Sequence, residues 1–335
     1  MSEKRITKSI IPDPLLDWHD SYDALNVYES ETSFELWWID ADLDNGYTIS
    51  LLYFWRLNFP FVTINIYAPD GTRIINSMEQ RELNECRASR EKCDLVFGKD
   101  TLRQDGNNYK LSLHTKEAGA ELTFCRKLPP CRWPVYYDGL SFDNSKLKQC
   151  NVMSVPRSDL KGKLWIGDKE MDVSGQGFQD HDWGDIGFHT TIGGFFWGRV
   201  YYKEFTFVYP SILPITGSGE DAKTMLYVAK GEQIVLVSDR LKPILSDYEV
   251  NKDTGINIPN RITFEIKEGD VEVSVCFTAD KLLQLDIDEI PNSDLCQHCY
   301  RRIGKFTGTI IINGETHIIS SADVINAYVL FVPKN

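Results

Sequence analysis

The chain has 335 residues, 42% hydrophobic and 12% aromatic, which is enough for about two domains with buried cores and excludes wholesale disorder. Its 36 Lys and Arg against 49 Asp and Glu leave a net charge of −13, with the basic residues scattered, so nucleic acid and anionic membrane surfaces are excluded as first partners. The N-terminus has no apolar h-region, and the longest apolar run, Ala327 to Val332, is far below the ~18–20 residues of a membrane span.

A cytoplasmic protein with no transmembrane segment is therefore expected. Taken in order, residues 1–22 read as an N-terminal extension, and strands follow. Thr48–Trp55, Phe61–Tyr67, Tyr109–His114 and Ala120–Phe124 are β-branched or aromatic runs of period two. Between them, Ser77 to Lys92 is the one charged stretch that reads as a short helix or a solvated loop. Gly162 to Gly167 reads as a hairpin turn. Further strands are expected at Thr206–Tyr209, Thr224–Val228, Gln233–Val237, Arg261–Ile266 and Val271–Phe277, then at Thr307–Asn313, His317–Ile319 and Ala327–Val332. Turn residues such as Pro69-Asp-Gly71, Asp105-Gly106, Glu268-Gly269 and Asn313-Gly314 separate them. The pattern predicts an all-β chain of two sandwich or barrel units, spanning 23–188 and 189–335.

Eight cysteines include one close pair, Cys296-Gln-His-Cys299. A single C-x-x-C with no second pair is a weak zinc signal, so thiols and no metal are expected. Neither a G-x-S-x-G elbow nor a phosphate-binding glycine loop is present, which removes serine hydrolases and nucleotide enzymes.

One segment departs from strand-and-turn patterning: Gly175-Gln-Gly-Phe-Gln-Asp-His-Asp-Trp-Gly-Asp185. It brings acids, an imidazole and an indole together between glycines that let the backbone approach a ligand closely. If extended, His181 and Trp183 share one face, and Asp180 and Asp182 the other. Two more motifs accompany it, Glu35-Leu-Trp-Trp-Ile-Asp40 and Phe195-Phe-Trp-Gly-Arg199. Of the tandem indoles, Trp37 reads as core. Glu35 and Asp40 read more simply as edge solvation, and Arg199 as a cavity anion partner or a stacking partner of Trp197.

These three motifs, with Phe205-Thr-Phe-Val-Tyr209, resemble the AttH-type, lipocalin-like family of carotenoid 1,2-hydratase, kievitone hydratase and the fungal Diels–Alderases, over about residues 30–332. The resemblance implies two lipocalin-like β units and a hydrophobic cavity. It places catalytic roles on His181 and Tyr209 and the motif's indole on Trp183. Ser211 stands where the hydratases carry an acid, so Asp180 or Asp182 supplies it only if the chain turns them inward. Trp38, Trp183, Trp197, Arg199, Glu35 and Ser211 are the candidate substrate-binding residues, and Trp38, Trp183, Trp197 and Tyr209 are expected around one apolar pocket.

Protonating an alkene requires a strong acid in dry surroundings and a surface that stabilises a cation, which a desolvated carboxylic acid or imidazolium and an indole provide. The expected activity is that of a lyase or isomerase without cofactor, hydrating or cyclising an unsaturated apolar metabolite such as a terpenoid, carotenoid-like compound or polyketide. A pericyclic cyclase, which only folds a polyene and polarises its carbonyl, and a non-catalytic lipid or pigment carrier are the alternatives.

Overall fold

Alternating burial governs most strands. In β1 (Phe34–Leu43), Trp37, Ile39 and Ala41 are buried in the core while Leu36 and Trp38 are half-buried on the other face. The protein is described from a computed structural model covering residues 13–16, 18–26, 33–56, 59–135, 149–184 and 187–334. The described residues form two antiparallel sheets, and the chain divides between Thr191 and Ile192. Among them no helix is long and apolar enough to cross a membrane.

Among the described residues the first unit carries 12 strands. They are β1 (Phe34–Leu43), β2 (Thr48–Trp55), β3 (Phe61–Tyr67), β4 (Arg73–Gln80), β5 (Cys86–Ala88) and β6 (Asp94–Phe97). The series continues with β7 (Asp100–Asp105), β8 (Asn108–His114), β9 (Ala118–Arg126), β10 (Cys131–Val135), β11 (Gln149–Ile166) and β12 (Lys169–Gly184). Their order is β4-β3-β2-β1-β12-β11-β9-β8-β7-β6-β5, with β10 beside β11. Residues of β1–β3 and of β6–β9 share one core, so the sheet curls round it. The Tyr53 hydroxyl pins this curl, lying 2.9 Å from the carbonyl oxygens of both Thr101 and Ser112 across the core.

The second unit carries 10 strands. They are β13 (Gly194–Tyr202), β14 (Phe205–Val208), β15 (Ser211–Leu213), β16 (Lys223–Lys230) and β17 (Gln233–Leu241), then β18 (Ile244–Val250), β19 (Asn257–Glu268), β20 (Val271–Glu289), β21 (Leu295–Ile312) and β22 (Glu315–Pro333). The long hairpins β20–β21 and β21–β22 form its wall, around a core rich in phenylalanine and tyrosine.

Four local expectations change. Residues 77–92 are neither helix nor free loop: they finish β4, make one 3-10 turn at Leu83–Glu85 and enter β5. Arg81 holds the stretch down, bonding Glu79 at 2.7 Å and the buried Asp100 at 2.6 Å. The 175–184 segment is the second half of β12, and Asp185 lies outside the described residues. Gly162 sits inside β11, with the turn following at Gly167. Part of the expected N-terminal extension, from Pro14 on, belongs to the first unit, and Leu15 is buried.

The seven cysteines whose side chains are described are free thiols. Cys296 and Cys299 lie three residues apart on β21, and so on opposite faces, which no single metal ion bridges. Among the described residues no cluster of His, Cys, Asp and Glu is arranged to hold a metal ion.

Candidate active site

Pairing between β1 and β12 organises the first unit's polar residues. Trp37 lies opposite His181, Glu35 opposite Trp183, and Trp38 opposite Asp180. Cross-strand partners share a face, so the two strands present one face carrying Glu35, Trp37, His181 and Trp183 and a second carrying Trp38, Asp180 and Asp182.

The first of these faces points into the core. His181 is fully buried, its ring stacked on Trp37 at 4.4 Å and tilted against Trp183 at 4.9 Å. Nε2 lies 2.7 Å from Glu35 Oε1, and Nδ1 lies 3.0 Å from the Tyr22 carbonyl and 3.5 Å from Asp23 Oδ1. Both ring nitrogens face oxygen atoms. Glu35 also accepts the Asn26 backbone N–H, at 2.8 and 3.0 Å. Edge solvation of Glu35 is thus corrected, because the residue is wholly buried and gripped from two sides. Asp40 is buried as well. Asp23 accepts from Tyr109 at 3.0 Å and Gln179 at 3.2 Å. Burial lifts its carboxyl to about 6, against the opposing pull of His181 and of the Tyr109 hydrogen bond.

The second face is half-buried and offers different chemistry. Asp180 and Asp182 stand two residues apart on β12, a separation of roughly 7 Å along the strand. Asn151 of β11 reaches both: its amide donates to Asp182 Oδ1 at 2.9 Å and lies 3.5 Å from Asp180 Oδ2. Burial, followed by the negative charge of Asp182, drives the Asp180 carboxyl well above the usual range. Burial moves Asp182 to about 6, with Asn151 and His181 acting the other way. The two carboxyls titrate as a pair, with Asp180 pushed up further than Asp182. Trp38, half-buried and opposite Asp180, puts an indole on the same face.

The remaining sequence candidates lie in the second unit. Tyr209, between β14 and β15, is buried in the core, parallel to Phe306 at 5.8 Å and against Phe264 at 4.7 Å. Ser211 is buried, its hydroxyl 2.7 Å from that of Thr224. Trp197 and Arg199 alternate with the core-facing Phe196, Gly198 and Val200 and so occupy the outer face of β13, with Arg199 5.0 Å from the Tyr201 ring. The expectation of one pocket lined by Trp38, Trp183, Trp197 and Tyr209 is corrected: within each unit the two residues point to opposite faces of their sheet.

Sequence reasoning missed Asp23, Tyr109, Gln179 and Asn151. Asn151 alone left a trace, an isolated amide between Cys150 and Val152 at the start of an apolar stretch, whereas Asp23 looked like one acid among several ahead of the first strand.

No protein-family model and no curated protein sequence matches the chain. Solved structures do. A candidate AttH protein from Nitrosomonas europaea superposes with a TM-score of 0.62 at 12% identity, covering 96% of this chain and 98% of that one. CghA in complex with Sch210972 gives 0.66 at 10% identity over 96% and 98%. Kievitone hydratase from Nectria haematococca gives 0.52 at 10% identity over 98% and 95%. The chain has the fold of these proteins. The two-unit lipocalin-like architecture expected from the motif resemblance is thereby established over nearly the full length, while identities of 10–12% carry the fold alone.

Proposed function

We propose that this protein is an enzyme that needs no redox cofactor and hydrates or cyclises an unsaturated, largely apolar metabolite on the Asp180–Asp182 face of the first unit. The observation that carries the reading is the carboxyl pair itself: two acids side by side on one strand, tied through the Asn151 amide, next to an indole. Environments that push two neighbouring carboxyls apart divide them into an acid and a base. A fold shared with kievitone hydratase and CghA supports the class of chemistry.

The step balances within the pair. Asp180 gives its proton to one carbon of the alkene, whose π electrons form the new C–H bond and leave a cation on the other carbon. Trp38 faces that cation, a contact worth about 0.5–2 kcal/mol. Water adds to the cation and loses a proton to Asp182, or an internal alkene closes a ring and the final proton goes there. Transfer from Asp182 to Asp180 restores the starting state. His181 is fully enclosed and touches no reacting atom, so with Glu35 and Asp23 it is a positioning residue that fixes the strand bearing both acids.

The test is turnover in deuterium oxide of a panel of isoprenoid and polyene-ketone probes, read by mass spectrometry. One deuterium on carbon per product is expected, and Asp180→Asn should lower kcat by about 10²–10⁴-fold, the usual worth of a general acid. Product without deuterium, formed equally fast by Asp180→Asn, would mean a pericyclic enzyme and overturn the acid assignment. Tight retention of probes with no product would mean a carrier.

A further inference from the structure

The core of the second unit contains a charge that the chemistry above does not use. Arg302, on β21, is 2% exposed among aromatic side chains, with its guanidinium 5.2 Å from the Tyr328 ring centroid and 5.7 Å from that of Phe277. Burial pulls its pKa down only to about 10, so the group is a cation at neutral pH. Its protein partners are both neutral oxygens: Nη1 donates to the Pro259 carbonyl and Nη2 to Asn326 Oδ1 at 2.7 Å. Nε has no hydrogen-bond partner, and no carboxylate among the described residues lies within ion-pair distance of the guanidinium.

A buried guanidinium without a counter-charge is expensive, because hydration is lost and Coulombic attraction does not replace it. A second unsatisfied donor shares the cluster. The Tyr209 hydroxyl is buried and meets no partner at full hydrogen-bond geometry; burial pushes its pKa above the ordinary range, with Asn326 and Arg302 close enough to act the other way. Gly198 makes the position possible, since a Cβ there would lie 2.2 Å from the Tyr209 oxygen. Asn326 joins the parts: it accepts from Arg302, lies by Tyr209 and donates to the Trp197 carbonyl at 3.0 Å.

We propose that the core of the second unit is a binding site for an apolar molecule with a planar monoanionic head, a carboxylate or enolate, which accepts from Arg302 Nε and the Tyr209 hydroxyl. One negative charge matches the single guanidinium, the two oxygens of a planar O–C–O group match the two open donors, Arg302 Nε and the Tyr209 hydroxyl, and the phenylalanine-rich surroundings match an apolar body. The proposal does not rest on the reading of the Asp180–Asp182 face, whose acid chemistry acts on an uncharged alkene.

The test uses the full-length protein with oleate and oleyl alcohol as probes, by calorimetric titration, together with [1-13C]oleate followed by NMR. Oleate is expected to bind about tenfold or more tightly than the alcohol, as a charge-assisted contact requires. Its carboxylate carbon should stay ionised in the complex to a lower pH than in free micelles. Arg302→Met should abolish the preference, and Tyr209→Phe, which keeps the ring packing, should reduce it several-fold and covers the case in which Arg302→Met does not fold. Equal affinity for the two probes, no binding of either, or a preference unchanged in Tyr209→Phe and Arg302→Met would overturn the proposal.

Discussion

His181 commits both ring nitrogens to neighbours, Glu35 on one side and the Tyr22 carbonyl with Asp23 on the other, in a space without water contact. Glu35→Ala would leave that ring and the Asn26 N–H facing a void, and removing one partner of a buried pair costs about 3–5 kcal/mol. A urea midpoint unchanged from wild type would show that the bond carries no structural weight. Glu35→Gln keeps an acceptor for Asn26 and should recover part of the loss. Asp180 and Asp182 sit on the same strand yet on the half-buried face, so their substitution by Asn should spare folding and strike turnover. That separation of outcomes was legible in the residues only as an alternation. Sequence placed His181 with Trp183 and away from both acids, and the structure keeps that division. It did not identify Glu35 as the partner of His181, because 146 residues separate them and an acid on an aromatic strand is usually solvated.

At the scale of elements, two glycines set how closely strands approach. A Cβ on Gly162 of β11 would lie 1.9 Å from the Glu121 carbonyl oxygen, so a side chain at this position would part β11 from β9. Gly198 of β13 meets a flexible neighbour instead, the Tyr209 ring. Gly198→Ala is therefore expected to cost about 1–3 kcal/mol, the usual range for overpacking. Adding Tyr209→Phe removes the contact with the oxygen at 2.2 Å but leaves that with Cζ at 2.5 Å, so it should restore only part of the loss in urea denaturation. Full additivity of the two changes would argue against direct contact. The strands themselves were largely legible from period-two patterns and turn residues. Residues 77–92 were not, since their charges read as helix surface, and only the fold shows Arg81 bridging Glu79 to the buried Asp100.

Across the whole molecule, buried acids set the pH response. Asp23, Asp180 and Asp182 all have carboxyls raised by burial, so the folded state holds their protons more tightly than the unfolded chain does. The stability they contribute is complete below their unfolded pKa, and that of Asp23 and Asp182 is lost as the pH rises through about 6. For Asp23, moved from 3.8 to about 6, this amounts to roughly 3 kcal/mol. Urea midpoints should fall between about pH 4 and pH 7, and Asp23→Asn should flatten that slope; a slope unaltered by the substitution would rule out Asp23 as its source. What the sequence determined alone is the all-β class and the segment in which acids, an imidazole and an indole cluster, because backbone alternation and turn preferences act over a few residues. Which face of β12 turns to the core, which distant acid meets His181, and how Arg302 comes to lie among rings without a carboxylate were decided by register and sheet curvature. These follow from pairings between strands more than a hundred residues apart in the first unit and from hairpin closure in the second, and no local pattern encodes them.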